Sequence, residues 1–223
     1  MIDVSGLWKT FRSGRGTVAA LKDVSFFLGK GEVLVIAGKS GSGKTTLMNC
    51  IGGLEKPEKG RIVCDETDIH SLKGSALSRF QRSRLGFVFQ SGNLLSYLTV
   101  CENIEFPLSL NEIPSARRKI RVEELLDAVG LKGMGPAMPF ELSAGETQRV
   151  AFARAMAHGP AILLADEPTA NLDSENGRQL VRLMTSLSRE NGGTLVVATH
   201  DDEIIRFAPH ALFLKDGHME ETQ

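Results

Sequence analysis

The run "GKSGSGKTT", Gly38 to Thr46, constrains this chain more than any other part of it. Gly38, Gly43, Lys44 and Thr45 keep the spacing G-x-x-x-x-G-K-[ST], between "GEVLVIAG" on one side and "KTTLMNCIGGL" on the other. The first flank is a continuous apolar run bounded by glycines, the pattern of a strand buried on both faces. The second reads as a helix ended by Gly52 and Gly53. A flexible Gly/Ser loop capping a helix is the plainer alternative, but strand, loop and helix in this order form a cradle for phosphate. Gly38, Gly41 and Gly43 permit the tight curl that turns successive N–H groups toward one anion. Ser40, Ser42 and Thr46 complete the candidate contacts, and the helix N-terminus adds unpaired donors and partial positive charge. Lys44 is expected to reach the β- and γ-phosphates of a bound ATP, and Thr45 to present its hydroxyl to Mg²⁺.

The rest of the chain is organised around that unit. Strand-like runs at Ile2 to Phe11 and Ala20 to Leu28 are separated by "RSGRG", a hairpin loop. "GRIVCDETDI" reads as a further strand and turn. From Ser71 to Leu142 the pattern turns polar and helical: "SLKGSALSRFQRSRLG" and "SARRKIRVEELLDAVG" are amphipathic helices, joined by "SGNLLSYLTVCENIEFPLSLNEIP". Buried-strand runs then resume as "AILLAD" and "TLVVAT". Each follows a helix, Glu146 to His158 and Ser174 to Glu190, the first of them stopped by "HGP". "HALFLKDGHME" is a final hairpin around Asp216 and Gly217. Alternating apolar strands and helices predict an α/β fold with a mostly parallel core sheet and antiparallel strands at its N-terminal side.

Two further places ask for ligands. "AILLADEPT" puts Asp166 at the end of a buried strand, where a carboxylate needs a partner or a metal, and Glu167 directly after it. In phosphate-loop proteins the first position orients Mg²⁺; a carboxylate at the second can act as general base toward water. A polar turn ending the strand is the simpler alternative. In "ELSAGETQRV", Ser143, Ala144 and Gly145 stand before a helix that begins at Glu146. The backbone N–H groups, the Ser143 hydroxyl and the helix dipole are arranged to meet an anion. The alternative here is a plain capped helix, with Ser143 at the N-cap and Glu146 at the third helical position.

Taken together, these motifs resemble the ATP-binding subunit of an ABC transporter, over essentially the whole chain. The resemblance rests on the phosphate loop, "GFVFQ" ending in Gln90, "LSAGE" as signature loop, "ILLADE", "ANLD" as dimer loop, and "VVATH" ending in His200, in the family's order. It implies a single ATPase domain over 1–223, with 1–90 and 143–223 as the α/β core and 91–142 as an inserted helical subdomain. It further implies that Gln90 ligates Mg²⁺ together with Thr45 and Asp166. Glu167, Gln90 and His200 would do the catalytic work, with Phe11, or its rival Trp8, stacking on adenine. Ser143, Gly145 and Glu146 would cover the ATP of a second subunit, giving two composite sites related by a two-fold axis. Asp173 either caps the helix at Ser174 or stands at the subunit junction, as the family has it; Asp201 is a candidate cap as well. Where the family has Gly-Gly, this chain has Ala144-Gly145. An alanine forced into a left-handed backbone would cost about 1–2 kcal/mol, whereas a mere need for a small side chain would cost little. A weaker or slower ATP sandwich is expected.

"GFVFQSGNLLSYLTVCENIEFPL" is most similar to the lipoprotein-release, macrolide-export and cell-division ATPases of bacteria. That likeness implies a homodimer formed with ATP and a separate integral-membrane permease docked on the helical subdomain. The subunit itself would be cytoplasmic, at the inner face of the plasma membrane. The alternative is a mechanical signalling ATPase that activates an envelope enzyme without moving a substrate. A formal net charge of −1 offers no drive toward nucleic acid, so a DNA- or ribosome-directed ATPase is disfavoured. Cys50, Cys64 and Cys101 are scattered and form no CxxC pair, as suits free thiols rather than a disulfide frame or a zinc site.

Overall fold

The computed structural model describes residues 1–14, 16–206 and 208–220. The chain opens with β1 (Ile2–Ser13) and β2 (Gly16–Leu28), then β3 (Val33–Ala37) leads into α1 (Lys44–Ile51). Next come β4 (Lys59–Cys64), β5 (Thr67–Asp68), α2 (Ser75–Arg84), β6 (Leu85–Val88), α3 (Val100–Leu110) and α4 (Ser115–Ala128). The remainder is α5 (Ala144–Met156), β7 (Ile162–Asp166), α6 (Ser174–Glu190), β8 (Thr194–Thr199), α7 (Asp202–Arg206), β9 (His210–Lys215) and β10 (His218–Glu220). Among the described residues no helix is long and apolar enough to cross a membrane.

The strands form two sheets. One has the order β2-β1-β4-β5 and is antiparallel throughout. The other has the order β10-β9-β3-β8-β7-β6 and is parallel except for the terminal hairpin. The hairpin turns on Asp216 and Gly217, at φ 50° and 83°, the two positive angles that its two-residue loop needs. The first hairpin runs further than its sequence suggests. Pairing continues from Ile2↔Leu28 to Ser13↔Gly16, so the loop is shorter than "RSGRG"; Arg15 lies outside the described residues.

The parallel sheet separates two apolar layers by strict alternation. Val33 and Val35 of β3, Leu163 and Ala165 of β7, and Leu195 and Val197 of β8 join the cluster built by α3, α4, α5 and α6. Leu34 and Ile36, Ile162 and Leu164, and Val196 and Ala198 join the opposite cluster, with α1 and the antiparallel sheet. Strands buried on both faces must be apolar throughout, which is why their sequences show no alternation. Phe80 of α2 belongs to the α1 layer, and Gln81 Nε2 donates to the Gly52 and Gly53 carbonyls at 3.1 and 3.3 Å. The polar helical stretch that begins at Ser71 therefore divides between the two faces of the sheet.

Two further expectations change. The segment joining the amphipathic helices is not a bare connector: Val100–Leu110 is α3. Its start is fixed by a capping box in which Glu102 N–H donates to Thr99 Oγ1 at 3.3 Å and Thr99 N–H donates to Glu102 Oε2 at 2.8 Å. Pro107 inside the helix hid it from sequence reasoning, because proline removes a helical hydrogen bond and normally ends such a run. Second, α5 begins at Ala144, ahead of Glu146, and ends at Met156.

Candidate active site

The strand order decides what meets what. β3, β8, β7 and β6 lie side by side and parallel, so their carboxyl ends form one edge of the sheet. From that edge leave the phosphate loop, His200, Asp166-Glu167 and Gln90, which are far apart in sequence.

The loop has the backbone its glycines were expected to supply, with φ of 154° at Gly38, 80° at Gly41 and 110° at Gly43. At Gly43 a Cβ would also run into the Ala20 carbonyl oxygen of β2. Lys44 is buried, and its ammonium donates to the Gly38 carbonyl at 2.6 Å and the Lys39 carbonyl at 3.2 Å. Its third partner is Glu167 Oε1 at 3.1 Å. The other oxygen of that carboxylate, Oε2, is 2.9 Å from His200 Nδ1. Glu167 thus stands between a fixed cation and an imidazole. Its backbone is held in the left-handed region at φ 48°, with its N–H donating to the Ala198 carbonyl of β8 at 2.8 Å. A non-glycine residue in that conformation, directly before Pro168, stores strain of the kind found at functional sites.

Asp166, one residue earlier, ends β7. Burial pushes its carboxyl above the usual carboxylate range, opposed by the Thr45 hydroxyl that hydrogen-bonds it and raised further by Glu167. Its Oδ1 is buried with no hydrogen-bond partner among the described residues. An oxygen-rich pair with an orphaned acceptor suits a hard divalent cation. Gln90 is exposed and lines a cavity of about 270 Å³, with Ala20, Ser40, Gly41, Gly43, Lys44, Thr45, Thr46, Glu167 and His200; Asp166 is not in its wall. The Ser42 hydroxyl is buried and has no partner among the described residues.

Phe11 is not in the cavity wall. It pairs with Val18 of β2, two residues from Ala20, which is in the wall. Its ring is 40% exposed, with the Lys9 ammonium 5.0 Å from the centroid. Trp8 pairs instead with Lys59 of β4. Neither ring is in the cavity wall.

Ser143, Gly145 and Glu146 lie elsewhere. With Ala144, Asn171, Asp173 and neighbours they line a second cavity, of about 450 Å³, which shares no wall residue with the first. The capping box is formed here: Ser143 Oγ donates to Glu146 Oε2 at 2.7 Å and accepts from Glu146 N–H at 3.3 Å. The Ser143 hydroxyl and the Ser143 N–H, which donates to Glu146 Oε2 at 2.8 Å, hold the Glu146 carboxyl below its usual range. Ala144 is the first residue of the right-handed helix and is absent from the positive-φ positions, so the backbone strain considered for it does not arise. Asp173 caps α6 by accepting from Asn176 N–H at 2.9 Å, and Asp201 accepts from Glu203 N–H at 2.9 Å.

Three residues were missed. Gln148 and Asn171 both donate to the Gln90 carbonyl, and Arg154 to those of Gly92 and Asn93. The available signals were Gln148, a polar residue on the side of α5 that carries Ala151 and Phe152 into the core, and the place of Asn171 within "ANLD".

Residues 21–170 match the protein family described as "ABC transporter". The ATP-binding protein YtrE of Bacillus subtilis is 43% identical, the alignment covering 97% of this chain and 96% of YtrE. The lipoprotein-releasing system ATP-binding protein LolD of Syntrophotalea carbinolica is 42% identical, over 97% of this chain and 96% of LolD. Among solved structures, the ATP-binding cassette MJ0796 of Methanocaldococcus jannaschii, a dimer in a post-hydrolysis state bound to ADP and Pi, superposes with a TM-score of 0.92. It is 39% identical, covering 100% of this chain and 98% of that one.

Proposed function

The chain belongs to the ABC transporter ATP-binding family, and from that premise we propose that it is an ATPase subunit that dimerises on Mg-ATP and drives a separate membrane permease. The observation that carries this reading is the separation of the two cavities. The phosphate-loop cavity holds a lysine, a carboxylate and an imidazole in contact, while the signature loop opens on other residues. A second copy turned about a two-fold axis would place the signature loop of one over the phosphate loop of the other. The dimeric, ADP- and Pi-bound cassette supports that arrangement.

In the site, a γ-phosphate entering the loop competes with Glu167 for the Lys44 ammonium. Glu167, released from one partner and kept by His200, then accepts a proton from the water that attacks the γ-phosphorus; the bond from that phosphorus to the β–γ bridging oxygen breaks, ADP and phosphate leave, and Glu167 returns its proton to solvent. Thr45, Asp166 and Gln90 would hold Mg²⁺, which when bound offsets the charge on the phosphate oxygens. The buried, unpartnered Asp166 oxygen supports that assignment. Phe11 would carry the adenine. The domain boundaries at 91 and 142 belong to the same reading, as do the cytoplasmic face of the membrane as its place of work and a permease docked on the 91–142 segment.

Light scattering on the Glu167→Gln protein, with and without Mg-ATP, tests it. A mass that doubles with ATP is the expected result. A protein that binds ATP and stays a monomer, also after Ala144→Gly, refutes dimerisation by the chain alone.

A further inference from the structure

The segment that carries Gln90 is fastened to α5 along its backbone. Gln148, 2% exposed, sends Nε2 to the Gln90 carbonyl at 2.6 Å and to the Phe89 carbonyl at 3.3 Å. Two turns further along α5, the Arg154 guanidinium donates to the Gly92 carbonyl at 2.7 Å and the Asn93 carbonyl at 2.8 Å. Gly92 sits at φ 70°, and a Cβ there would press on Thr147 Cγ2 at 2.9 Å, so the segment lies close against the helix. A second amide reaches the same Gln90 carbonyl from another direction: Asn171 Nδ2, at 3.3 Å, from the loop after β7. The Gln90 side chain has no hydrogen bond among the described residues and stands exposed in the wall of the phosphate cavity.

Gln148 is a costly residue to bury. Its Oε1 is enclosed and has no partner among the described residues, a penalty that a leucine of similar volume would not carry. What the amide does is fix the carbonyl of Gln90, and with it the peptide plane and the direction of the Cα–Cβ bond.

We infer that Gln148 and Asn171 are positioning residues for Gln90, two amides that set where its side chain points in the phosphate cavity. Each is tied to the second cavity as well. Asn171 is in its wall, and Gln148 is on the first turns of α5, the helix that Ser143 caps. Displacement at the second cavity therefore reaches Gln90 through two hydrogen bonds to one oxygen. The inference rests on the functional reading above and deepens it: occupancy of the partner's ATP site and the aim of Gln90 in this chain's own site are coupled at the Gln90 carbonyl.

The test is steady-state ATP hydrolysis by Gln148→Leu and Asn171→Ala, each alone and combined with Gln90→Ala, titrated with ATP and with Mg²⁺. Asn171 is exposed, so its variant folds even where the buried substitution does not. A misaimed Gln90 is expected to lower kcat about 10- to 100-fold, the range for a small displacement of a catalytic group. The Mg²⁺ needed for half-activity rises, and KM for ATP stays within about threefold because the Lys44 loop is untouched. In the Gln90→Ala background neither substitution costs anything more. Losses that multiply with Gln90→Ala, or a fall confined to KM, overturn the inference. A wild-type chain that hydrolyses no ATP overturns the functional reading and the inference with it. A hydrolysing wild type with independent losses overturns the inference alone.

Discussion

Replacing Ala144 by glycine restores the pair usual in the signature loop, and the structure says that the change should not help. Ala144 is the first helical residue of α5, is exposed, and lies outside the left-handed region. Glycine there relieves no strain; it only enlarges the freedom lost on folding, at about 0.5–1 kcal/mol. For a chain of this length that lowers Tm by about 1–4 °C. The Ser143–Glu146 capping box uses groups on either side of position 144 and should persist. Thermal unfolding of Ala144→Gly without nucleotide should show that small fall. In the Glu167→Gln background, the ATP-dependent dimer followed by light scattering should keep its dissociation constant within about threefold, less than 1 kcal/mol. A rise in Tm would mean that the alanine backbone is strained after all. A dimer tightened tenfold or more, about 1.4 kcal/mol, would mean that the alanine methyl obstructs the facing nucleotide, and the reasoning from helix geometry would be wrong.

Gly43→Ala combines a φ of 110° with a collision at the Ala20 carbonyl, each costing about 1–3 kcal/mol. Calorimetry should show ATP binding abolished and Tm lowered by several degrees; an unchanged titration would refute the tight packing of β2 on the loop. Glu167→Gln should keep ATP binding and lose at least about 100-fold in hydrolysis. Because it removes the anionic partner of a buried ammonium, its nucleotide-free Tm should fall, and ATP should raise Tm more than in the wild type; equal thermal shifts would count against the Lys44–Glu167 pair. Burial lowers the pKa of His158, which keeps Nε2 on the Leu85 carbonyl, and that of His70. A lowered folded pKa means stability that is present above the unfolded value, about 6.5, and lost as pH falls through the folded one. Each histidine contributes a slope of at most about 1.4 kcal/mol per pH unit. Acid titration of Tm should steepen below that pH, and His158→Phe should remove part of the slope.

Much of this was legible before the structure. The phosphate loop, the buried strands and the carboxylate pair each announce themselves locally, because a double-faced strand must be apolar and a phosphate cradle needs its glycines. Asp216-Gly217 and the Asp173 cap are local in the same sense. α3 was hidden by a proline that its neighbours tolerate, and the start of α5 depended on which residue took the cap. Glu167's left-handed backbone could not be read at all, since nothing in "ADEPT" distinguishes it from an ordinary strand end.

The sequence by itself determined that this chain carries a phosphate loop between a buried strand and a helix, and an Asp-Glu pair at the end of another buried strand, because those patterns depend on residue types a few positions apart. Only the tertiary structure decided that β8 lies between β3 and β7, which brings His200 onto Glu167 across more than thirty residues of chain. It alone showed Lys44 already paired with Glu167, and the Gln90 carbonyl held by Gln148 and Asn171. Pattern reports what a short stretch must bury or expose. Which distant side chains share a hydrogen bond depends on strand order and packing, and those are settled only when the whole core closes.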